Sequence, residues 1–202
     1  MLVPPRGIHR WDADSFATIN QQSQEMKLTL VRHTSVDCKP NVCYGQTDVD
    51  VAHSFPQEAE KVRLQLEGTA FDAVFSSPLQ RCSKLAAYCG YPQAINDKRL
   101  MELNFGDWEG IPWNEINDPN LDRWYLDWIN TPTTNGESFA EQVERVKNFL
   151  GGLKATTHDQ VLAFTHAGVI RATAVALGLI DIDLSFSDYS VEYGDIKSFD
   201  LP

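Results

Sequence analysis

At 202 residues, with 43% hydrophobic and 22% charged side chains, the chain has the size and composition of one ordinary globular domain. The formal net charge of -11 argues against a nucleic-acid or membrane-binding surface, although a local cluster of cations can still bind an anion. No stretch approaches the ~20 apolar residues of a membrane span. The first residues lack the apolar segment of a signal peptide. We therefore expect a cytoplasmic protein with no nucleic-acid and no membrane partner.

Residues 1–25 are polar and mixed in character. We predict that they form an N-terminal extension of unknown role, and that residues 26–202 form one domain. The four cysteines, at positions 38, 43, 82 and 89, are too few and too irregularly spaced for a disulfide scaffold, so reduced thiols are expected. The spacing of Cys38 and Cys43 is also poor for zinc, and the sequence indicates neither a metal site nor a bound cofactor.

Three apolar runs are predicted to be buried strands because each ends abruptly in polar side chains. Arg32 and His33 follow the first run, Arg81 comes soon after the second, and His166 follows the third. Ligands bind at the carboxyl ends of strands in open α/β sheets, so these cations are expected to converge on an anion. Considered one at a time, each of these residues could instead have a purely structural role, as a core histidine or a surface arginine. The three runs are residues 28–31, 71–75 and 161–165.

Apolar spacing predicts amphipathic helices as well. The helix after the second strand is predicted to be capped by Ser77, with Pro78 in its first turn. Arg81 then lies in that first turn and off the buried stripe, where it can lean towards an anion. Other helices are expected at residues 55–66, at 137–150 and from Gly168 onward. A short strand is expected at residues 93–96 and a final edge hairpin at 189–201.

Residues 111–135 form an irregular, aromatic insertion between elements of this pattern. Leu121, Trp124 and Trp128 follow helical spacing, which predicts that most of these rings serve packing. An insertion in this position is nevertheless a natural lid. The long loop of residues 34–54 is a second segment of the kind that is usually functional.

Three short motifs occur in order along the chain, each after a predicted strand. They are Arg32-His33-Thr34, Ser77-Pro78-x-x-Arg81 and Thr165-His166-Ala167-Gly168. In this the sequence resembles the histidine phosphatase (phosphoglycerate mutase-like) superfamily. The resemblance covers about residues 27–200 and extends to residues 99–102, 105–110 and 136–138. It implies an α/β fold, a three-layer α/β/α sandwich with a mostly parallel sheet and a small insertion over the active site.

The resemblance also implies the catalytic residues and their roles. His33 is expected to attack phosphorus as a neutral imidazole and become a phosphohistidine. Arg32, Arg81 and a cationic His166 would clamp the phosphate, with the arginine fork matching its geometry. Glu102 is expected to act, when protonated, as the acid for the leaving oxygen. This scheme requires no metal.

The substrate is expected to be a small-molecule phosphate monoester, bound also by Tyr44, Gly45 and Ala167. Residues 43–48 resemble the α-ribazole phosphatase branch, which implies hydrolysis of α-ribazole 5′-phosphate in assembly of the cobalamin nucleotide loop. Lys39 stands where mutases of the superfamily carry an asparagine, and this departure weakens the mutase alternative.

Several alternatives stay open at this point. No cysteine is followed by an arginine at the spacing of a cysteine-based phosphatase, but Asp48-Val49-Asp50-Val51 fits the haloacid dehalogenase pattern. That pattern should end an apolar strand, whereas residues 41–47 are loop-like, so we interpret it as coincidence. A sugar-phosphate phosphatase, a mutase-like enzyme and a non-catalytic phosphate binder remain possible, as does any oligomeric state.

Overall fold

A computed structural model describes residues 25–201 of the chain, so all of the predicted extension except Glu25 lies outside the described residues. The strands are β1 (Met26–Arg32), β2 (Ala73–Ser76), β3 (Ile95–Asn96), β4 (Gln160–Thr165) and β5 (Ile196–Leu201). They form one sheet in the order β3-β2-β4-β1-β5. All neighbours are parallel except β5, which runs antiparallel to β1.

The helices are α1 (Phe55–Leu66), α2 (Gln80–Tyr88), α3 (Leu121–Leu126), α4 (Phe139–Lys154) and α5 (Ala167–Ala176). Helices α1 and α2 lie on one face of this sheet and α4 and α5 on the other, while α3 belongs to a separate aromatic cluster. Side chains alternate between the faces along each central strand, as the two-residue period of a strand requires. In β1, Leu28 and Leu30 pack with α4 and α5, whereas Val31 packs with α1 and α2. The predicted three-layer α/β/α sandwich with a mostly parallel sheet is confirmed.

The scaffold helix α4 shows why these elements form where they do. Ser138 accepts a hydrogen bond from the Glu141 amide, and the Glu141 carboxylate accepts one from the Ser138 amide, which makes a capping box. The predicted apolar stripe of Phe139, Val143 and Val146 is buried. It continues through Leu153, which explains why the helix runs beyond the predicted end at residue 150.

Two local predictions are wrong. The residue preceding α2 is Leu79, and Ser77 does not cap this helix. The Ser77 hydroxyl accepts weakly from the Leu79 amide over 3.4 Å and lies 2.9 Å from His166 Nε2, and Pro78 precedes the helix rather than lying in its first turn. The predicted final hairpin is a single edge strand, β5, because the residues before it turn towards the ends of β1 and α5.

The shared helical face predicted for Leu121, Trp124 and Trp128 is also wrong. Helix α3 ends at Leu126, before Trp128. Trp124 stacks on Trp113 with ring centres 5.6 Å apart, whereas Trp128 packs on Phe139 in the main core.

No helix among residues 25–201 has the length and apolarity needed to cross a membrane. All four cysteines are free thiols, with Cys82 fully buried and Cys89 half-buried.

Candidate active site

The ends of β1 and β4 bring two histidines together. Arg32 and Thr165 are partners in the parallel ladder, so the residues after them, His33 and His166, leave the sheet side by side. The His33 amide donates to the Thr165 carbonyl over 3.0 Å, and the two imidazole centroids are 5.1 Å apart. His33 is 1% exposed and His166 is 0% exposed. Neither is a surface histidine.

The contacts of His33 fix its tautomer. Nδ1 lies 2.7 Å from the backbone carbonyl oxygen of Thr34, which can only accept, so Nδ1 carries the proton. Nε2 is then left with a free lone pair. Burial lowers the pKa of His33 well below its usual value, and the Arg81 and Arg32 guanidinium groups lower it further. His33 is therefore neutral near pH 7, which is the form that a nucleophile needs.

His166 is held between α2 and β4. Its Nε2 lies 2.9 Å from Ser77 Oγ and 3.4 Å from Cys82 Sγ. Burial lowers the pKa of His166 well below its usual value, and the positive charge of Arg81 adds to this shift. The expectation of a cationic His166 is thus not met in the free protein. A phosphate dianion beside it would favour the protonated form.

Two arginines lie beside the histidines, and each has a guanidinium N–H donor without a partner. Arg32 donates from Nη1 to the Val191 carbonyl over 2.7 Å, and Arg81 donates to the carbonyls of Gly45 and Thr47 over 2.6 and 2.9 Å. The Nε atoms of both arginines are buried without a partner. Within residues 25–201 neither guanidinium pairs with a carboxylate. Two buried, unpaired N–H donors beside a neutral imidazole form a ready anion clamp.

Glu102 reaches the same place from the segment after β3. Its Oε1 accepts from the Leu103 amide over 3.0 Å and from Gln142 Nε2 over 3.3 Å. Its Oε2 accepts from the Gly168 amide in the first turn of α5, also over 3.3 Å. A Cβ at position 168 would collide with the Glu102 carboxylate, so glycine is required for this approach. Arg145 donates to the Glu102 carbonyl and fixes the backbone.

A cavity of about 220 Å³ opens above these groups. The predicted residues Arg32, Tyr44, Gly45, Glu102 and Ala167 line it. His33, Arg81 and His166 are almost completely buried and are not among its lining residues. The structure thus brings all eight predicted site residues to one region. The remaining lining residues are Val42, Cys43, Leu103, Phe105, Trp113, Gln142, Gly168, Arg171 and Phe186.

Sequence reasoning missed Gln142, Arg171 and Phe186. Arg171 follows Ala167 by one helical turn and therefore shares its face of α5, a spacing that could have identified it. Gln142 interrupts the apolar face of α4 and is fully buried, which is a weaker signal. Phe186 lies outside the regular elements, and no sequence pattern indicates its position.

The loop that carries Tyr44 and Gly45 is held by Glu109. This carboxylate accepts from the amides of Gln46 and Thr47 over 2.8 and 2.5 Å. Gly45 has φ +24°, and a Cβ there would collide with Glu109 Oε1 and the Leu103 carbonyl oxygen. The sequence places Glu109 in a recognisable motif but assigns it no role. The structure shows it as the anchor of the cavity rim.

The haloacid dehalogenase alternative finds no support in the geometry. Asp48 accepts from the Gln80 amide at the start of α2 over 2.7 Å, and Asp50 pairs with Lys84. Neither aspartate follows a strand or lines the cavity. Across residues 25–201 no three His, Cys, Asp or Glu side chains are grouped so as to hold a metal ion.

Known proteins are similar to this chain in sequence and in structure. The chain is 29% identical over 153 residues to the adenosylcobalamin/α-ribazole phosphatase of Escherichia coli (strain K12), covering 72% of this chain and 75% of the relative. It is also 29% identical over 168 residues to phosphoserine phosphatase 1 of Hydrogenobacter thermophilus (strain DSM 6534 / IAM 12695 / TK-6), covering 79% of each. The crystal structure of TTHB049 from Thermus thermophilus superposes with a TM-score of 0.69 at 31% identity, over 88% of this chain and 95% of that one.

The profile of the histidine phosphatase superfamily (branch 1) matches residues 28–195, which span β1, the insertion and the approach to β5. The match contains both histidines, both clamp arginines and Glu102. The members of this superfamily are phosphatases or mutases, and the two relatives above are named as phosphatases. The chain belongs to the histidine phosphatase superfamily, branch 1.

Proposed function

We propose that this protein is a phosphomonoesterase that works through a phosphohistidine on His33. The observation that carries the proposal is the pairing of a free Nε2 lone pair on His33 with unpaired, buried Nε donors on Arg32 and Arg81. Phosphoryl transfer needs an in-line nucleophile and positive charge around the equatorial oxygens, and these groups supply both.

The reaction then proceeds in two steps. In the first, His33 Nε2 forms a bond to phosphorus, the bond to the ester oxygen breaks, and protonated Glu102 gives that oxygen its proton. In the second, water attacks the phosphohistidine while ionised Glu102 takes the proton of the water. The N–P bond breaks, orthophosphate leaves, and His33 returns to its neutral form. Glu102 is protonated again, so the cycle closes.

The first candidate substrate is α-ribazole 5′-phosphate, in assembly of the cobalamin nucleotide loop. Its benzimidazole is flat and apolar and suits an aromatic wall. Tyr44, Phe105 and Trp113 line the cavity, with Phe105 and Trp113 in edge-to-face contact at 5.3 Å between centroids. The relative named adenosylcobalamin/α-ribazole phosphatase supports the same choice.

The second candidate is a phosphate monoester whose leaving group carries a carboxylate. Arg171 lines the cavity, and its Nε donates to the Tyr189 carbonyl over 3.2 Å, but it pairs with no carboxylate within residues 25–201. Arg171 is half-buried, with its Cζ 4.7 Å from the ring centre of Phe186, and this burial lowers the pKa of the guanidinium. An anionic leaving group would compensate that charge. The relative named phosphoserine phosphatase 1 supports this class.

A substrate screen tests the proposal and separates the candidates. The purified chain is assayed with α-ribazole 5′-phosphate, phosphoserine, glucose 6-phosphate and p-nitrophenyl phosphate, with His33→Ala as the blank. We expect the highest kcat/KM with α-ribazole 5′-phosphate. A preference for phosphoserine that is lost in Arg171→Gln would favour the second candidate instead. Activity of His33→Ala equal to that of the unchanged chain would reject the phosphohistidine mechanism for every substrate.

A further inference from the structure

Tyr193 lies beside the catalytic groups although neither the motifs nor the cavity lining point to it. It belongs to the turn that precedes β5, where the sequence predicted part of a hairpin. Its ring centre is 3.9 Å from Arg32 Cζ and 5.6 Å from the centroid of the His33 imidazole. A guanidinium at this distance from an aromatic face is attracted to it, and here the contact is partly solvated, since Tyr193 is 40% exposed.

The same turn holds Arg32 and His33 through the backbone. The Val191 carbonyl accepts from Arg32 Nη1 over 2.7 Å, and the Asp195 carbonyl accepts from the Arg32 amide over 2.9 Å. The Gly194 amide donates to the His33 carbonyl over 3.2 Å. The guanidinium of Arg32 is thus fixed at one edge by Val191 and on one face by Tyr193. Its Nε–H is buried and has no partner.

Tyr193 also connects the two arginines of the clamp. Its hydroxyl lies 3.0 Å from the hydroxyl of Tyr44, which belongs to the rim loop. The Tyr44 ring centre is in turn 5.4 Å from Arg81 Cζ. A chain of contacts therefore runs from Arg32 through both tyrosines to Arg81. It joins the turn before β5 to a loop 149 residues earlier in the sequence.

We infer that Tyr193 is a positioning residue for phosphate binding: its ring orients Arg32, and its hydroxyl ties Tyr44 over Arg81, so that the spacing of the two guanidinium groups is set. The inference rests on the proposed function in one respect, namely that these arginines bind the phosphate of the substrate. It makes the turn before β5 a working part of the phosphate site.

The test is the affinity for orthophosphate, measured by titration calorimetry in a phosphate-free buffer, because binding requires no turnover. Tyr193→Leu removes the ring and the hydroxyl, and we expect it to weaken orthophosphate binding by about tenfold. Tyr189→Leu is the matched control, since this half-buried tyrosine lies in the same segment but its ring is near Lys197. The control should bind orthophosphate within about twofold of the unchanged chain. Unchanged binding by Tyr193→Leu, or an equal loss in the control, would overturn the inference.

Conservative variants separate an effect on arginine positioning from an effect on folding. They also test the role of Tyr193 if Tyr193→Leu does not fold. Tyr193→Phe keeps the ring over Arg32 and should restore most of the affinity, losing about threefold through the missing hydroxyl contact. Tyr44→Phe should lose a similar factor, and the double variant should lose no more than either single one, because all three remove the same bridge. Additive losses, or no loss in either single variant, would contradict the bridge.

The phosphatase proposal stands or fails separately. Hydrolysis of p-nitrophenyl phosphate that depends on His33, together with unaltered orthophosphate binding by the Tyr193 variants, would retain the proposed function and reject the role of Tyr193. If the affinity for orthophosphate depends on Tyr193 but the chain hydrolyses no ester, the inference holds and the proposed function is rejected.

Discussion

The floor and the rim of the site are built in different ways. We call His33, Arg81 and His166 the floor; the two histidines follow strand ends, Arg81 lies in the first turn of α2 after β2, and all three are 0–1% exposed. We call the loop of residues 42–47 and the insertion of residues 111–135 the rim; these segments contain only one 3₁₀ turn, the short helix α3 and one isolated bridge to each other. The floor is positioned by the sheet, while the rim is held by individual side chains such as Glu109.

This difference separates two kinds of function. Groups fixed by a parallel sheet have little freedom, so they suit chemistry that depends on distances within a fraction of an ångström. Loops can change while the sheet stays the same, so they suit recognition of the leaving group. Substitutions in the floor should therefore lower the rate for every ester. Substitutions in the rim should change KM for particular substrates.

The largest effect is expected for His33→Ala. Turnover of every phosphate ester should fall to the background rate, because no other group in the floor has a free lone pair facing the clamp. The fold should persist, since His33 lies beyond the end of β1 and outside the apolar clusters. Steady-state assays and circular dichroism measure the two properties. His158→Ala, at a half-buried histidine that precedes β4 and does not line the cavity, is the control and should keep full activity. Full activity in His33→Ala would show that the floor is not the chemical centre.

Arg81→Ala should lower kcat/KM by about 10² for all phosphate esters, as expected for loss of a preorganised charge donor. Arg81 also donates to the carbonyls of Gly45 and Thr47, so this variant should release the rim loop as well. Arg81→Lys restores the charge but not the fork, and it should recover only part of the rate. A loss confined to one substrate would place Arg81 in the rim, contrary to the comparison.

The sequence predicts the floor better than the rim for a physical reason. The apolar runs that end at His33 and His166 are local signals, and parallel pairing of neighbouring strands makes their ends adjacent. The order of the elements and both faces of the sheet follow from the same periodicity. Helix boundaries are predicted less closely, because the burial of Leu153 extends α4 beyond its strongest pattern.

Contacts between distant segments account for what the sequence did not predict. Ser77 has the local signature of a helix cap, but His166 lies 89 residues away and within 2.9 Å of its hydroxyl. The alternation around Gly194 is typical of a hairpin, but this turn holds Arg32 instead. Arg171 shares the helical face of Ala167, but Phe186 becomes a site residue only once the chain after α5 folds back over the cavity. No local pattern contains that information.

Glu102 lies where floor and rim meet, and its substitution should depend on the leaving group. Glu102→Gln should lower kcat/KM for alkyl phosphates by about 10², within the range for loss of a positioned acid. It should affect p-nitrophenyl phosphate much less, because p-nitrophenolate leaves without a proton. Rates for both ester types in the same variant give the comparison. Equal losses for the two would remove Glu102 from the acid role.

The buried histidines of the floor should make the fold sensitive to acid. Burial lowers the pKa of both His33 and His166, so the unfolded chain binds more protons than the folded chain below the usual imidazole pKa of about 6.5. Their contribution to stability is complete above that pH and is lost as the pH falls below it, by up to about 1.4 kcal/mol per pH unit for each imidazole. Urea unfolding between pH 7.5 and 5.5 measures the slope. His33→Asn should have a shallower slope than the unchanged chain; identical slopes would mean that His33 is not buried as the neutral form.

The smallest effects are expected in the rim, and they test whether it recognises the leaving group. Tyr44 and Trp113 line the cavity, whereas Trp124 and Trp128 do not. Tyr44→Ala and Trp113→Ala should therefore raise KM for α-ribazole 5′-phosphate several-fold, consistent with loss of about 1 kcal/mol of aromatic contact. Trp113→Ala should leave KM for p-nitrophenyl phosphate unchanged, whereas Tyr44→Ala should also raise it about threefold, because Tyr44 lies over Arg81 of the phosphate clamp. Trp124→Ala is the matched control, because this ring belongs to the same aromatic cluster but does not line the cavity, so its loss should affect mainly thermal stability. If both cavity variants keep their α-ribazole phosphate kinetics, the aromatic rim does not select the substrate, and Arg171 becomes the first residue to examine for that role.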